Sequence, residues 1–426
     1  MYVLIKNKDR LTHWLIALFL LALPFNYALT WDIGFPLKIS EIAIILIVLI
    51  NVPKAFYKLN ICLNGYILGF YKVFLFFFLI AIASFFINSF FNFPYSLEIP
   101  DVRYSPLMQS LLKTLYLIVI AMASLITYLA FTSKNQSFYL HIVNIGCLCS
   151  ALFGWYLFVF SINQWPVYIL PGMDVWPQHG LYSFGHFIRC GTFKEGNYAG
   201  LYFVCLFFIN LQFKKYKWAC LAVIGCIPTF STIAFIILLF TGLLFLIKKG
   251  FEYKNALTAI LILVVVMGML LINHQDVKFI TSKIVPTSEV QFKDANNSRL
   301  ERLNLAQTAI KIAYNNPVFG VGLANFSKHF QHYNNSATIN KRNIQYIPNN
   351  VYLEILSELG STGFITFLLL IYVLVQVVIK QKVTMLGIGL AAILICFLAF
   401  PSFTLLFVWV YFGIILSFNL QNANTY

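Results

Sequence analysis

Charge is what this chain has least of. Asp, Glu, Lys and Arg make up 10% of its 426 residues, and only 14 of them are acidic. Soluble domains carry about 25% charged residues, so composition excludes a water-soluble fold. The common soluble signatures are missing as well: no P-loop, no Gly-x-Ser-x-Gly elbow, no zinc-protease helix and no Asp-x-Asp pair. No repeat of 20–50 residues and no low-complexity linker divides the chain. Of eight cysteines, Cys62, Cys147, Cys149, Cys205, Cys220, Cys226 and Cys396 fall mostly in apolar runs, which leaves Cys190 alone in a polar loop. Neither a disulfide framework nor a metal spacing results. His179, His186, His329 and His332 sit in the loops expected outside the membrane, with no regularly spaced carboxylate or third ligand beside them. No metal site and no cofactor are expected.

What the chain does have is apolar length. Hydrophobic residues make up 60% and aromatic residues 18%. Apolar runs recur at the spacing that a bilayer core of about 30 Å demands of helices. Spans are expected near 12–31, 38–52, 66–90, 107–131, 138–162, 197–213, 217–230, 231–248, 254–273, 361–380, 383–400 and 402–419. The seventh and eighth are short, with a turn at "PTFST", and a re-entrant pair is the alternative there. The first follows a basic start but has no convincing cleavage site, so it reads as a retained anchor. Lys6, Lys8, Arg10; Lys54, Lys58; Lys134; Lys214, Lys215, Lys217; Lys248, Lys249, Lys254; and Lys380, Lys382 then all fall on one side. The positive-inside rule makes that side cytoplasmic, together with both termini. The expected fold is all-α: one polytopic domain over 1–426 with about twelve transmembrane helices. An external loop spans 163–196, and a larger one, 274–360, lies between spans nine and ten.

The formal charge of +15 divides unevenly. About half reports topology, and none of it reads as a nucleic-acid surface. Residues 274–349 carry nine basic side chains against Asp276, Glu289, Asp294 and Glu301. A cationic external loop fits an anionic partner or lipid head groups. Within it, "SRLERLNLAQTAIKIAYNNP" has Leu300, Leu303, Ala306, Ile310 and Ala313 at helical spacing, with Ser298 as cap and Pro317 as stop. Arg299 and Arg302 then lie in the first turn, where basic groups oppose the helix dipole and a bound anion would offset them. Gly320 and Gly322 follow, permitting a backbone path that side chains resist. The other loop ends "HFIRCGTFKEGNYAG", setting Arg189, Lys194, Glu195 and Asn197 at the mouth of span six. Finally "NNVYLEILSELGSTG" places Glu354 and Glu358 four apart on one helical face, before Gly360 and Gly363 and the start of span ten. Asn349 or Asn350 is the expected cap. Lys72 and Lys113 are lone cations within apolar runs, and both are expected to snorkel to a membrane surface.

In order and spacing, "RCGTFKEGNYAG", "RLNLAQTAIKIAYNNPVFGVGLANF" and "NNVYLEILSELGSTG" resemble the O-antigen ligase and polysaccharide polymerase superfamily of bacterial inner membranes. The likeness covers about 185–370, and the twelve-span layout agrees over the full length. It implies metal- and nucleotide-independent transfer of a glycan from an undecaprenyl-pyrophosphate carrier to an acceptor hydroxyl at the periplasmic face.

On that resemblance Arg302, Arg189 and Arg299 are the pyrophosphate holders, since guanidinium binds phosphate oxygens bidentately. Ligase-like members have a histidine where this chain has Asn349, and an asparagine side chain takes no proton at neutral pH. The base role therefore passes to Glu195, Glu358 or Glu354, with Asn197, Asn349 and Asn350 positioning the acceptor glycan. A serine–arginine pair of relatives is Ser231–Thr232 here, which removes one phosphate contact. The missing histidine favours a polymerase of O-antigen or capsular repeat units over a ligase or a protein O-oligosaccharyltransferase. A lipid-linked oligosaccharide flippase is the non-enzymatic alternative; its expected two-fold internal likeness is missing. Expected partners are the lipid-linked oligosaccharide, membrane lipids and a chain-length regulator.

Overall fold

A computed structural model describes residues 10–32, 36–57, 65–91, 105–173, 178–181, 185–247, 293–334 and 346–418. Among the described residues four helices are long and apolar enough to cross a membrane: α3 (Gly65–Phe91), α4 (Pro106–Thr132), α5 (Gln136–Ile162) and α11 (Val351–Gln381). At 1.5 Å per residue, the 27-residue helices run about 40 Å. Shorter apolar helices complete the set: α1 (Arg10–Leu21), α2 (Ile39–Tyr57), α6 (Gly196–Gln212), α7 (Tyr216–Cys226), α8 (Thr232–Ile247), α12 (Thr384–Cys396) and α13 (Leu406–Ser417). Between α8 and α11 lie α9 (Lys293–Asn315) and the short α10 (Phe326–Tyr333). The protein is a helical membrane-integral protein. The expected ninth span, 254–273, lies outside the described residues.

Two local differences from the all-α expectation have physical causes. The first apolar run stops being helical at Leu21, three residues before Pro24, which cannot donate to a helical ladder. The chain then forms a small antiparallel ribbon, β1 (Thr30–Asp32) with β2 (Pro36–Lys38). A second ribbon, β3 (Gln178–Leu181) with β4 (Gly185–Phe187), precedes α6. The turn expected at "PTFST" is present: a 3-10 turn at Ile227–Thr229 leads into Phe230, whose φ is 46°. Its Thr229, Phe230 and Ser231 are buried in protein, as non-helical backbone at membrane depth requires.

The core is aromatic. Trp409 of α13 packs edge-on against Phe74 and Phe403 and satisfies its indole N–H on the Phe403 carbonyl at 2.7 Å. A polar pair is buried between α5 and α6. Asn144 of α5 and Asn210 of α6 exchange amide hydrogen bonds of 2.9 and 2.8 Å. Asn144→Ala takes the donor from Asn210 Oδ1, while Nδ2 keeps the Leu206 carbonyl, and thermal unfolding in detergent is expected to show a loss of about 1–3 kcal/mol. The Asn144→Leu/Asn210→Leu double variant is expected to lose less than that single one, because no polar group is stranded.

Candidate active site

The site is built on a seam between two distant stretches of backbone. Helix α11 starts at Asn350, whose side chain caps it by accepting the Leu353 N–H at 3.1 Å. The helix breaks at Gly360, with φ 67° and ψ −167°. That break frees backbone groups, and the Pro317–Gly322 loop takes them up. Val321 and Gly322 donate to the carbonyls of Ser357 and Glu358 at 3.1 and 2.8 Å, while Ser361 donates to the Pro317 carbonyl at 2.7 Å. A Cβ on Gly320 would lie 2.6 Å from the Glu358 carbonyl oxygen, and one on Gly360 2.7 Å from the Phe319 nitrogen. Both glycines have positive φ, so the two strands meet backbone to backbone. From α3, Ser84 donates to the Phe319 carbonyl at 2.6 Å and Asn88 to that of Gly320 at 3.2 Å. Gly322, with φ 88°, turns the chain over Asn325 and Asn88.

The kink fixes the short helical segment that carries the two glutamates. Glu354 and Glu358 share one face as the spacing requires, and that face points inward: they are 7% and 1% exposed. Lys113 of α4 donates to Glu354 Oε1 at 2.7 Å and to Glu358 Oε2 at 2.9 Å. The expectation that Lys113 snorkels to a membrane surface is therefore corrected, because two buried carboxylates hold its ammonium in place. The Ala324 backbone N–H, set by a φ of 63°, hydrogen-bonds the Glu358 carboxylate as well.

The N-terminus of α6 carries further charged and polar groups of the site. Tyr198 lies within electrostatic reach of both Glu354 and Glu195. Glu195 in turn lies beside Arg189, whose Nη1 donates to the Phe230 carbonyl at 3.4 Å. Burial lowers the Arg189 pKa; Glu195 offsets this, and Arg302 adds to the lowering. Arg189, Glu195 and Arg302 thus form one electrostatic cluster, with Arg302 exposed on α9. Gly196 sits close enough to the Thr229 carbonyl that a side chain would push α6 off the "PTFST" turn. The Asn197 side chain accepts the Ser231 hydroxyl at 3.3 Å.

Several expectations change. Helix α9 begins at Lys293, so Ser298 does not cap it and Arg302 stands in its third turn, away from the helix end. Its core face is Leu305, Ala309 and Ile312, packed with Val321, Phe326, Phe330 and Tyr346. The face expected to be buried holds Leu300 at 52% and Leu303 at 54% exposed. The backbone of Arg299 belongs to α9, but its side chain lies outside the described residues. Asn350 is spent on the cap, and Asn349 is half-buried just before it. Gly363 is buried one turn past the kink, close against Leu359. On α10, burial pushes His329 down to about 4, with Lys328 and His332 adding to it, so its ring is neutral at physiological pH. Sequence reasoning missed Lys113, Tyr198, Ser84 and Asn88 as members of the site. Lys113 alone had a signal: a lone cation in an apolar run needs a carboxylate, and two stood at another span's mouth.

Residues 218–368 match the family model described as O-antigen ligase. The matched stretch runs from α7 through the "PTFST" turn, α9 and the seam into α11, and so includes Arg302, Glu354 and Glu358. Lys113, Arg189 and Glu195 lie outside it. No curated protein matches the chain.

Proposed function

We propose, from the match of residues 218–368 to the O-antigen ligase family model, that this membrane protein is a glycosyltransferase joining undecaprenyl-pyrophosphate-linked repeat units of O-antigen or capsular polysaccharide. The observation that carries this reading is the meeting of two unlike groups. Arg189 has Glu195 and Arg302 as electrostatic neighbours, Glu354 with Glu358 forms a buried acidic pair on Lys113, and Tyr198 lies within electrostatic reach of both Glu195 and Glu354. Cations suit the leaving pyrophosphate, and a carboxylate suits the attacking hydroxyl.

On this reading the guanidiniums hold the pyrophosphate oxygens and stabilise the charge that grows there as the bond to the sugar breaks. The acceptor hydroxyl approaches the anomeric carbon from the other side. Glu354, the more accessible of the buried pair, takes its proton within hydrogen-bond reach. Glu195, half-buried beside Arg189, orients the guanidinium and stands second as base. The protein lies in the bacterial inner membrane, with both termini cytoplasmic and residues 163–196 and 274–360 periplasmic. Membrane lipids and a chain-length regulator are its further partners.

The family's description favours a second reading, in which the same site transfers a finished glycan to a lipid or protein acceptor. Asn349 in the place of the ligase histidine weighs against it. Purified protein incubated with a lipid-pyrophosphate-linked repeat unit is expected to give a ladder of multiples on a gel. Release of the lipid pyrophosphate only on adding a lipid A–core or protein acceptor would replace polymerase with ligase. Glu354→Gln is expected to slow the ladder by at least about 100-fold at unchanged protein level. Full activity in that variant would remove Glu354 from the chemistry.

A further inference from the structure

We infer that Lys113, on α4, is a positioning residue for glycosyl transfer, fixing Glu354 toward the acceptor and tying it to Glu358 as a single proton-accepting unit. This rests on the transferase reading above. The geometry is a three-centre bridge: one ammonium, 2.7 Å from one carboxylate and 2.9 Å from the other, with Glu358 almost wholly buried. The bridge is unequal. Glu358 has a second donor in the Ala324 N–H, whereas among the described residues Glu354 Oε2 has no protein donor. Glu358 is thus the anchor, and Glu354 keeps an oxygen for an acceptor hydroxyl.

The charges do not balance. Two carboxylates face one ammonium, which leaves one excess negative charge buried among α4, α11 and the seam, where screening by water is weak. A lone buried ion pair would have no such surplus. Charged groups on α2 and at the start of α6 have neighbours of their own. Glu41 of α2 is held by Lys38 at 3.0 Å and by the hydroxyl of Tyr116, one turn from Lys113, at 2.9 Å. Arg189 has Glu195 and Arg302 as its electrostatic neighbours. The surplus charge can therefore be met by one proton, and the reaction releases one. The bond between the anomeric carbon and the pyrophosphate oxygen breaks, its electron pair leaving with pyrophosphate. The acceptor oxygen bonds to that carbon, its proton passes to Glu354, and water later removes that proton. Lys113 shares its hydrogen bonds between the two carboxylates, so the anchor Glu358 gains a stronger bond to it as Glu354 becomes neutral.

The test compares Lys113→Met, Lys113→Arg and Lys113→Met/Glu358→Gln in the purified repeat-unit assay, across pH and over a range of donor concentrations. Lys113→Met is expected to cut kcat by at least about 100-fold with little change in donor KM. The acidic limb of its pH profile is expected to move to higher pH, because the unpaired carboxylates hold a proton more tightly. The double variant restores one surplus charge without the lysine. It is expected to recover part of the rate and to move the limb back. Lys113→Arg, which keeps the charge but not the point geometry, is expected to fold and to keep the limb while losing rate. If Lys113→Met does not fold, the Lys113→Arg profile and the double variant still decide. Lys113→Met within about 3-fold of wild type and with an unmoved limb would overturn the inference. So would a folded double variant no better than the single, or a Lys113→Arg profile displaced like that of Lys113→Met. Glu354→Gln separates the two failures: inactive beside an active Lys113→Met, it sinks only the lysine, whereas fully active it sinks the glutamate base itself.

Discussion

Gly360→Ala is expected to lower the amount of folded protein sharply, as read by detergent size-exclusion of a fluorescent fusion. Two costs add. At φ 67° and ψ −167° an L side chain is strained by about 1–3 kcal/mol. The new methyl must also share space with the Val318 carbonyl and the Phe319 nitrogen, which are backbone atoms that cannot swing aside. Moving them breaks the Ser361–Pro317 and Gly322–Glu358 hydrogen bonds and leaves buried backbone groups unpaired. Against a total stability of about 5–15 kcal/mol this is a large fraction. Gly69→Ala is the control: a Cβ there meets nothing within 4 Å, and folding is expected to be unaffected. Equal yields of the two variants would show that the seam does not hold the site.

Arg302→Ala is expected to lose at least about 100-fold of transfer while leaving thermal stability untouched. The separation of effects follows from place. Arg302 is exposed on α9, so its removal strands nothing in the core. Arg189 is its opposite: largely buried and donating to the Phe230 carbonyl. Arg189→Ala is therefore expected to lose activity and also to lower the unfolding temperature, since the turn loses a donor. Arg302→Lys is expected to recover only part of the rate, because an ammonium cannot make the paired contact of a guanidinium. Wild-type products from Arg302→Ala would place the pyrophosphate elsewhere.

Much of the fold was legible because the signal was local. Apolar runs marked the helices, and Pro228 with Phe230 marked the break between α7 and α8. Asn350 and Gly360 marked both ends of the segment that carries the glutamates. What stayed hidden was long-range or two-sided. Helix α9 has apolar residues on two faces, and periodicity cannot say whether Leu303 or Leu305 meets the core. Nothing in "PVFGVG" says that it pairs with "SELGST", although both carry glycines for that purpose. Lys113 meets Glu354 across 241 residues, and a lone lysine near a span end reads first as a snorkelling one. Arg299 and Arg302 stood out by their place in a cationic loop and Arg189 by its place at a span mouth, and only the resemblance gave them the role of pyrophosphate holders.

The backbone seam has a consequence for how such chains can vary in length. Hydrogen bonds at 317–322 and 357–362 clamp the two ends of the stretch between them, residues 323–356, into a closed loop. Once the ends are pinned, doubling the enclosed length costs only about 0.6 kcal/mol of closure entropy. Inserting one residue inside either clamped hexapeptide instead shifts the register of every bond that follows it. Engineered insertions are thus expected to be tolerated better inside the enclosed stretch than within either clamped hexapeptide.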